Sequence, residues 1–486
     1  MITRRTFLKL AGLSAGAAAL PLGCWPPRVR KGEPGGPPPN IVFVLVDDMG
    51  WRDIGCYGGR FFDTPNVDRL AAQGMRFTNG YAACPVCSPT RLSILTGHYP
   101  ARVHLTNYLV GQRWPDNSPL RPVEWRHEMP PEEVTLAEIL KTAGYATACI
   151  GKWHLDSKMP GTTPEAQGFD VVVGQVPNQT DKQASGFTDK AVEFIRTNKD
   201  KPFFLYLAHH SVHIPLEATP DLVEKYEKRV RPDDPRNNPT YGGMVECVDR
   251  SVGRLMAVLD ELALAERTVF VFMSDNGGVS MKEGAKTPAT SNLPLRAGKG
   301  HVYEGGIREP WIMRWPGVIR PGTTCDVPVS SVDYYPTFLE MAGVRAGPDQ
   351  GLDGESLLPL LKQKGGLKRD AIFWHFPHYS NQGGVPAGAV RQGDLKLVEF
   401  YEDNHVELYN LRDDIGEQKN LAAAMPDQAA ALRQRLHAWR RDVGAQMPER
   451  NPNYDPSKPP YSNPKAAPDS WRASRPGEAE GYAWGE

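Results

Sequence analysis

Asn40-Ile41-Val42-Phe43-Val44-Leu45-Val46-Asp47-Asp48-Met49-Gly50-Trp51 decides the class of this 486-residue chain. An unbroken run of β-branched and aromatic residues, without polar alternation, suits a strand covered on both faces, as in parallel sheets. The run stops abruptly at two carboxylates. Three later runs repeat the pattern. Ala146–Ile150 ends in Gly151-Lys152-Trp153-His154, Phe203–Ala208 in His209-His210-Ser211-Val212-His213, and Thr268–Met273 in Ser274-Asp275-Asn276-Gly277-Gly278. Helical patterns fall between them at Asn66–Gly74, Thr135–Ala143, Asp189–Thr197 and Gly243–Leu264. This alternation predicts an α/β fold, a large mixed, mostly parallel sheet sandwiched by helices. Functional residues of such sheets gather beyond the carboxyl ends of the strands, so the polar strand ends are expected at one edge.

After about residue 365 the texture changes. Ala371–His375, Gly388–Arg391, Leu395–Phe400 and Val406–Tyr409 read as short antiparallel strands, followed by a charged helix from Pro426 to Val443. The expected organisation is a catalytic domain over 40–365, a smaller C-terminal antiparallel-sheet α+β subdomain over 366–448, and a Pro-rich tail over 449–486 that wraps the surface or moves. Residues 1–39 form a leader and linker. Arg4-Arg5-Thr6-Phe7-Leu8-Lys9, followed by a short Ala- and Gly-rich run, resembles a twin-arginine export signal. Leu20-Pro21-Leu22-Gly23-Cys24 is an imperfect lipobox, which leaves lipidation of Cys24 and membrane attachment open. The expected location is that of an exported bacterial protein, periplasmic or at the cell surface.

Lys and Arg number 56 against 57 Asp and Glu, so no global field points to a nucleic acid or an acidic partner. Seven cysteines in a chain of this size make no disulfide framework.

The adjacent Asp47 and Asp48 repel unless a cation lies between them. With Asp275 and Asn276 they make an oxygen-only set suited to a hard divalent cation, calcium before magnesium. Taken singly, each pair reads equally well as a helix cap or a turn. Lys152 and His154 follow one strand, and Lys299 sits in the glycine frame Gly298-Lys299-Gly300. Together they suit a clamp for a tetrahedral anion. His209, His210 and His213 compete for a place in the site, and His209 or His210 reads equally as a core or helix-cap residue. Cys84-Pro85-Val86-Cys87 could also be a redox pair or half a zinc site, but no second pair at ligand spacing completes one. Arg113, Trp114, Trp125, His127, His375, His378 and Tyr379 are expected at the rim of the pocket.

Cys87-Ser88-Pro89-Thr90-Arg91 with Leu95-Thr96-Gly97 resembles the signature of the type I, formylglycine-dependent sulfatases. The other motifs occur in that family's order: Val46–Trp51, Gly144–Leu155, Pro202–Leu216, Ser274–Gly278 and Leu295–Gly317. Over about residues 40 to 420 the chain is similar to arylsulfatase-A-like members of the alkaline phosphatase superfamily. The resemblance implies one calcium ion held by Asp47, Asp48, Asp275, Asn276 and a sulfate or formylglycine oxygen, with Cys87 converted to 3-oxoalanine (formylglycine). It implies attack on sulfur by one hydroxyl of the formylglycine diol and collapse of the second with His154 as base. His213, helped by Lys299, would protonate the leaving oxygen, while Lys152 and Arg91 position the diol. Implied partners are a sulfated small-molecule or glycan substrate and a formylglycine-generating or anaerobic sulfatase-maturating enzyme. Two other functions stay open at this level: a phosphate or phosphonate monoester hydrolase on the same scaffold, and a non-catalytic sulfated-glycan-binding protein.

Overall fold

The computed structural model describes residues 38–111, 114–156, 161–177, 180–231, 238–281, 288–347 and 350–462. The twin-arginine segment, Cys24 and Arg113 lie outside them. Strand β1 (Asn40–Val46) is buried throughout. Ile41, Phe43 and Leu45 pack into one apolar layer, and Val42, Val44 and Val46 into the layer on the opposite face. Both faces are covered, which is why the run carries no polar alternation.

The strands that follow are β2 (Met75–Phe77), β3 (Gly80–Tyr81), β4 (Ala146–Gly151), β5 (Val171–Val173), β6 (Phe203–Ala208), β7 (Thr268–Ser274), β8 (Trp311–Arg314), β9 (Thr323–Cys325) and β10 (Val329–Ser330). With β1, seven of them form one sheet in the order β5-β4-β6-β1-β7-β8-β2-β9, and β3 pairs with β10 separately. Only β8 runs against its neighbours in that sheet, so it is mixed and mostly parallel. Helices Pro65–Ala72, Ala184–Thr197 and Pro239–Glu261 bury their apolar residues against one face, while Leu136–Thr142 and Tyr334–Ala342 cover the other. Ala184–Thr197 begins five residues before the sequence expectation of Asp189. Its first turn buries Ala184, Phe187 and Thr188, which extends the helix beyond the charged stretch that suggested it.

The C-terminal sheet is antiparallel in the order β11 (Ala371–Phe376), β12 (Ala387–Gln392), β13 (Leu395–Phe400) and β14 (Val406–Asn410). Helix Pro426–Asp442 closes one face through Leu432 and Leu436. The other face puts Ile372, Trp374 and Val398 against Tyr81, Val86 and Ile307 of the larger part. Beyond it, the chain from Glu449 to Ser462 runs along the 116–121 segment. Arg121 donates its backbone N–H to Glu449 (2.8 Å), Asn117 bonds the carbonyls of Asp455 and Lys458, and Ser462 bonds Asp116. Among the described residues no helix is long and apolar enough to cross a membrane.

Candidate active site

Sheet register brings the strand ends together. Val46 of β1 pairs with Ser274 of β7, and Gly151 of β4 with Ala208 of β6, so Asp47, Asp275, Lys152 and His209 leave the sheet side by side. Backbone bonds continue past the strands, from Asp275 to the Val46 carbonyl (3.0 Å), Lys152 to Ala208 (2.8 Å) and Asp47 to Ser211 (2.9 Å). Gly151 has φ +97, and a Cβ there would lie 1.9 Å from the Ala208 carbonyl oxygen. Only glycine lets the chain turn Lys152 toward β6. Asp48 (φ 62) and His154 (φ 58) hold left-handed conformations, which non-glycine residues keep where surrounding structure enforces them.

Cys87 begins helix Cys87–Thr96, all of whose residues are buried. Arg91, one turn on, points its guanidinium at Asp275 Oδ2 (Nε 3.0 Å, Nη2 2.6 Å) and at the Lys152 carbonyl (2.7 Å). In this structure it braces the strand ends rather than Cys87 itself. Gly300, next to Lys299, donates its N–H to Pro85 (2.8 Å) and ties the lysine loop to the cysteine loop.

Cys87 Sγ lies 3.3 Å from His154 Nδ1. His154 Nε2 contacts the Leu109 carbonyl, which accepts only. Nε2 therefore carries the proton, and Nδ1 presents its lone pair to position 87. Burial pulls His154 down to about 3, with Lys152 and Arg91 adding to it, so the ring is neutral near pH 7. Burial pushes the Cys87 thiol up, and Lys152 and Lys299 oppose that rise.

Lys152 Nζ donates to Asp47 Oδ2 (2.7 Å), Lys299 Nζ to Asp48 (2.7 Å), and His213 Nε2 faces Asp48 Oδ2 at 3.5 Å. Burial would raise Asp47, yet Lys152, His213, Arg91 and Lys299 around it hold it well below the usual carboxylate value. Burial and the neighbouring Asp47 instead raise Asp275 to about 7, against the pull of Arg91. Burial would lower Lys299, but Asp48 beside it holds its ammonium well above the usual lysine value.

Among the described residues, the buried oxygens Asp47 Oδ1 and Asn276 Oδ1 have no hydrogen-bond partner. Ligand atoms of Asp47, Cys87 and Asp275 lie within 4.8 Å of one another, and so do those of Asp47, Asp48 and His213. Unsatisfied oxygen acceptors among three carboxylates fit a hard divalent cation. Cys84 and Cys87 are both free, and Cys84 Sγ reaches only the Thr106 carbonyl (3.9 Å).

The site opens into a cleft of about 470 Å³ whose walls include Asp47, Cys87, Lys152, His154, His213 and Lys299. Of the expected rim residues, the described ones, Trp114, Trp125, His127, His375, His378 and Tyr379, do not line it. His375 is buried between the Tyr401 hydroxyl and the Gln446 carbonyl (2.8 Å each), and His378 bonds Thr106 Oγ1 (2.8 Å). The Trp114 ring packs on Tyr379 (4.9 Å) and that of Trp125 on His127 (4.1 Å). These rings contact one another outside the cleft lining, with Trp114 and Trp125 half-buried and His127 exposed. What reaches the cleft instead is Tyr108, Leu109, Lys182, His210, Asn381 and Gln382. The sequence left His209 and His210 as core or helix-cap candidates. His209 is a core residue, fully buried with Nε2 3.0 Å from Ser251 Oγ.

The family model described as Sulfatase matches residues 39–344, and that described as N-sulphoglucosamine sulphohydrolase, C-terminal, matches residues 297–442. The chain is 30% identical over 496 residues to a sulfatase of Formosa agariphila, covering 82% of this chain and 88% of that one. It is 33% identical over 469 residues to human arylsulfatase A, covering 82% and 87%. The crystal structure of Ps i-CgsB, also solved in complex with k-i-k-neocarrahexaose, superposes with a TM-score of 0.71 at 28% identity, covering 84% of this chain and 93% of that one. The mixed sheet, the C-terminal antiparallel sheet and these relatives agree: the chain belongs to the sulfatase family of the alkaline phosphatase superfamily and is a sulfuric ester hydrolase.

Proposed function

We propose that this enzyme removes sulfate from a sulfated carbohydrate, using a formylglycine made from Cys87 and a calcium ion. The neutral Nδ1 of His154, aimed at position 87 by the Leu109 carbonyl, carries the reading. Sγ of Cys87 stands where a formylglycine would place its oxygens. That group would supply a geminal diol, one hydroxyl to attack sulfur and a second whose deprotonation releases sulfate.

Asp47, Asp48, Asp275 and Asn276 would hold the calcium, which adds charge for a developing oxyanion. His154 Nδ1 takes a proton at position 87. Lys152, half-buried, and Lys299, buried, at the cleft wall receive sulfate oxygens and offset their charge. His213, partly exposed on the same wall, hands a proton to the leaving alcohol, with Asp48 at 3.5 Å favouring its protonated form against the pull of burial and Lys299. Arg91 keeps Asp275 and the Lys152 backbone in place. The carbohydrate bound in the Ps i-CgsB complex supports a glycan substrate. Arg4 and Arg5 support export of the folded, matured protein.

The test is to co-express the chain with a formylglycine-generating enzyme and follow the Cys87 peptide by mass and by reaction with an aldehyde-directed hydrazide. Conversion at Cys87, with aryl sulfate turnover that follows the converted fraction and is lost on chelation, is the expected result. Turnover by fully unconverted protein would overturn the proposal.

A further inference from the structure

Arg91, Lys152 and Lys299 each pair with a carboxylate in the sulfate site. Lys182 lines the same cleft, yet among the described residues it hydrogen-bonds a neutral group, the Pro215 carbonyl (2.7 Å). Among the described residues no carboxylate lies within ion-pair distance of it. Its placement is built. Lys182 (φ 56) and Gln183 (φ 65) are consecutive left-handed residues just before helix Ala184–Thr197. Gln183 Oε1 accepts the Val176 N–H (2.7 Å), and Asp181 Oδ2 accepts that of Ser185 (2.9 Å), so both neighbours lock the turn. Such backbone persists where its surroundings enforce it, and it clusters at ligand sites.

His210, on the same cleft wall, has a buried Nε2 with no hydrogen-bond partner. Its ring rests on Phe187, 5.5 Å between centroids. Burial pulls it down to about 4, so at neutral pH it is a neutral hydrogen-bonding group rather than a second cation. Asn381 and Gln382, from the segment between β11 and β12, add amides to the cleft.

We propose that Lys182 and His210 form a second recognition subsite, which takes a sugar bearing another anionic group, carboxylate or sulfate, near the scissile sulfate ester. Lys182 meets the anion and His210 Nε2 a neighbouring hydroxyl. The substrate class is therefore a sulfated sugar with at least two negative groups. This rests on the sulfatase reading of the Cys87 centre.

The test compares kcat/KM of the converted enzyme on a sugar carrying one sulfate, the same sugar with a second sulfate, and a sulfated uronate. Wild type, Lys182→Met, Lys182→Arg and His210→Ala are assayed. Calorimetry on Cys87→Ala, with and without Lys182→Met, measures binding of the same three sugars without turnover. The preference for doubly anionic over singly anionic sugar should fall about tenfold in Lys182→Met, through KM, as loss of one charge-assisted contact requires. Lys182→Arg should keep most of it, and His210→Ala should weaken all three sugars alike. The uronate and disulfate arms tell which anion is read. Equal loss on all sugars in Lys182→Met, or calorimetric affinity indifferent to Lys182, would overturn the subsite. Lys182-dependent affinity without sulfate release by any converted variant would keep the subsite and remove the sulfatase reading instead.

Discussion

Around Asp47 and around Lys396 the chain buries charge to a similar depth, but the two clusters end differently. Lys396, Glu304 and Glu417 are wholly buried where the C-terminal sheet meets the larger part. Lys396 Nζ donates to Glu304 Oε1 (2.9 Å) and Glu417 Oε1 (2.8 Å). Glu304 Oε2 takes the Tyr81 hydroxyl (2.7 Å) and Arg308 Nε (2.5 Å), and Glu417 Oε2 takes the Glu304 N–H (2.7 Å). Each carboxylate oxygen there has a donor. In the strand-end cluster Asp47 Oδ1 and Asn276 Oδ1 have none, and a cleft opens beside them. A saturated buried network specifies how two parts dock. An unsaturated one facing a cleft is set up for a ligand.

That contrast breaks first at Lys396. Lys396→Met leaves buried Glu417 without its cation and Glu304 with Arg308 alone, and should cost about 3–5 kcal/mol of stability by denaturant titration. Activity per folded molecule should stay within about twofold of wild type, since the residue is outside the cleft. Lys152→Ala should behave in the opposite sense. Sulfate release should drop about 10²–10³-fold, the usual loss for one preorganised donor to a developing charge. Its melting temperature should barely move, because Asp47 keeps Arg91 nearby.

Divalent cation should matter to only one cluster. Chelation should lower the melting temperature of wild type, and calcium at about 100 times its Kd should restore about 2.7 kcal/mol. In Asp47→Asn the same addition should restore much less. An equal gain in both proteins would remove the cation from the strand-end site.

The smallest effect is a pH dependence from the docking cluster. Burial, reinforced by Glu304, raises Glu417 from 4.5 to about 7, even though Lys396 pulls the other way. Its folded value exceeds its unfolded one, so the folded state holds the extra proton between them. The stability from Glu417 is complete below pH 4.5 and is lost as pH rises to about 7. Thermal melts across that window should slope less in Glu417→Gln than in wild type. Parallel slopes would show that Glu417 does not titrate there.

The strand-end residues were legible because a doubly covered strand is an apolar run and its end is a change of chemistry, as at Val46-Asp47. Strand β5 was not. Its three residues are partly exposed, and pairing with β4 rather than composition makes them a strand. The reversed direction of β8 has no local signal either, since Trp311–Arg314 would read the same in a parallel strand. Aromatic density pointed to the rim at Trp114, Trp125, His378 and Tyr379, whose rings pack on one another and are absent from the cleft lining. Lys182 was invisible because a left-handed turn at two non-glycine residues carries it to the cleft.

The most direct measurement is sulfate release from a sulfated oligosaccharide and an aryl sulfate, with an aryl phosphate alongside, by protein whose Cys87 is shown converted by mass. Wild type should release sulfate over many turnovers, while Cys87→Ser, unable to collapse to an aldehyde, should stop after a single event or not start. Sustained turnover by Cys87→Ser, or phosphate release exceeding sulfate release by converted wild type, would contradict a formylglycine sulfatase centre.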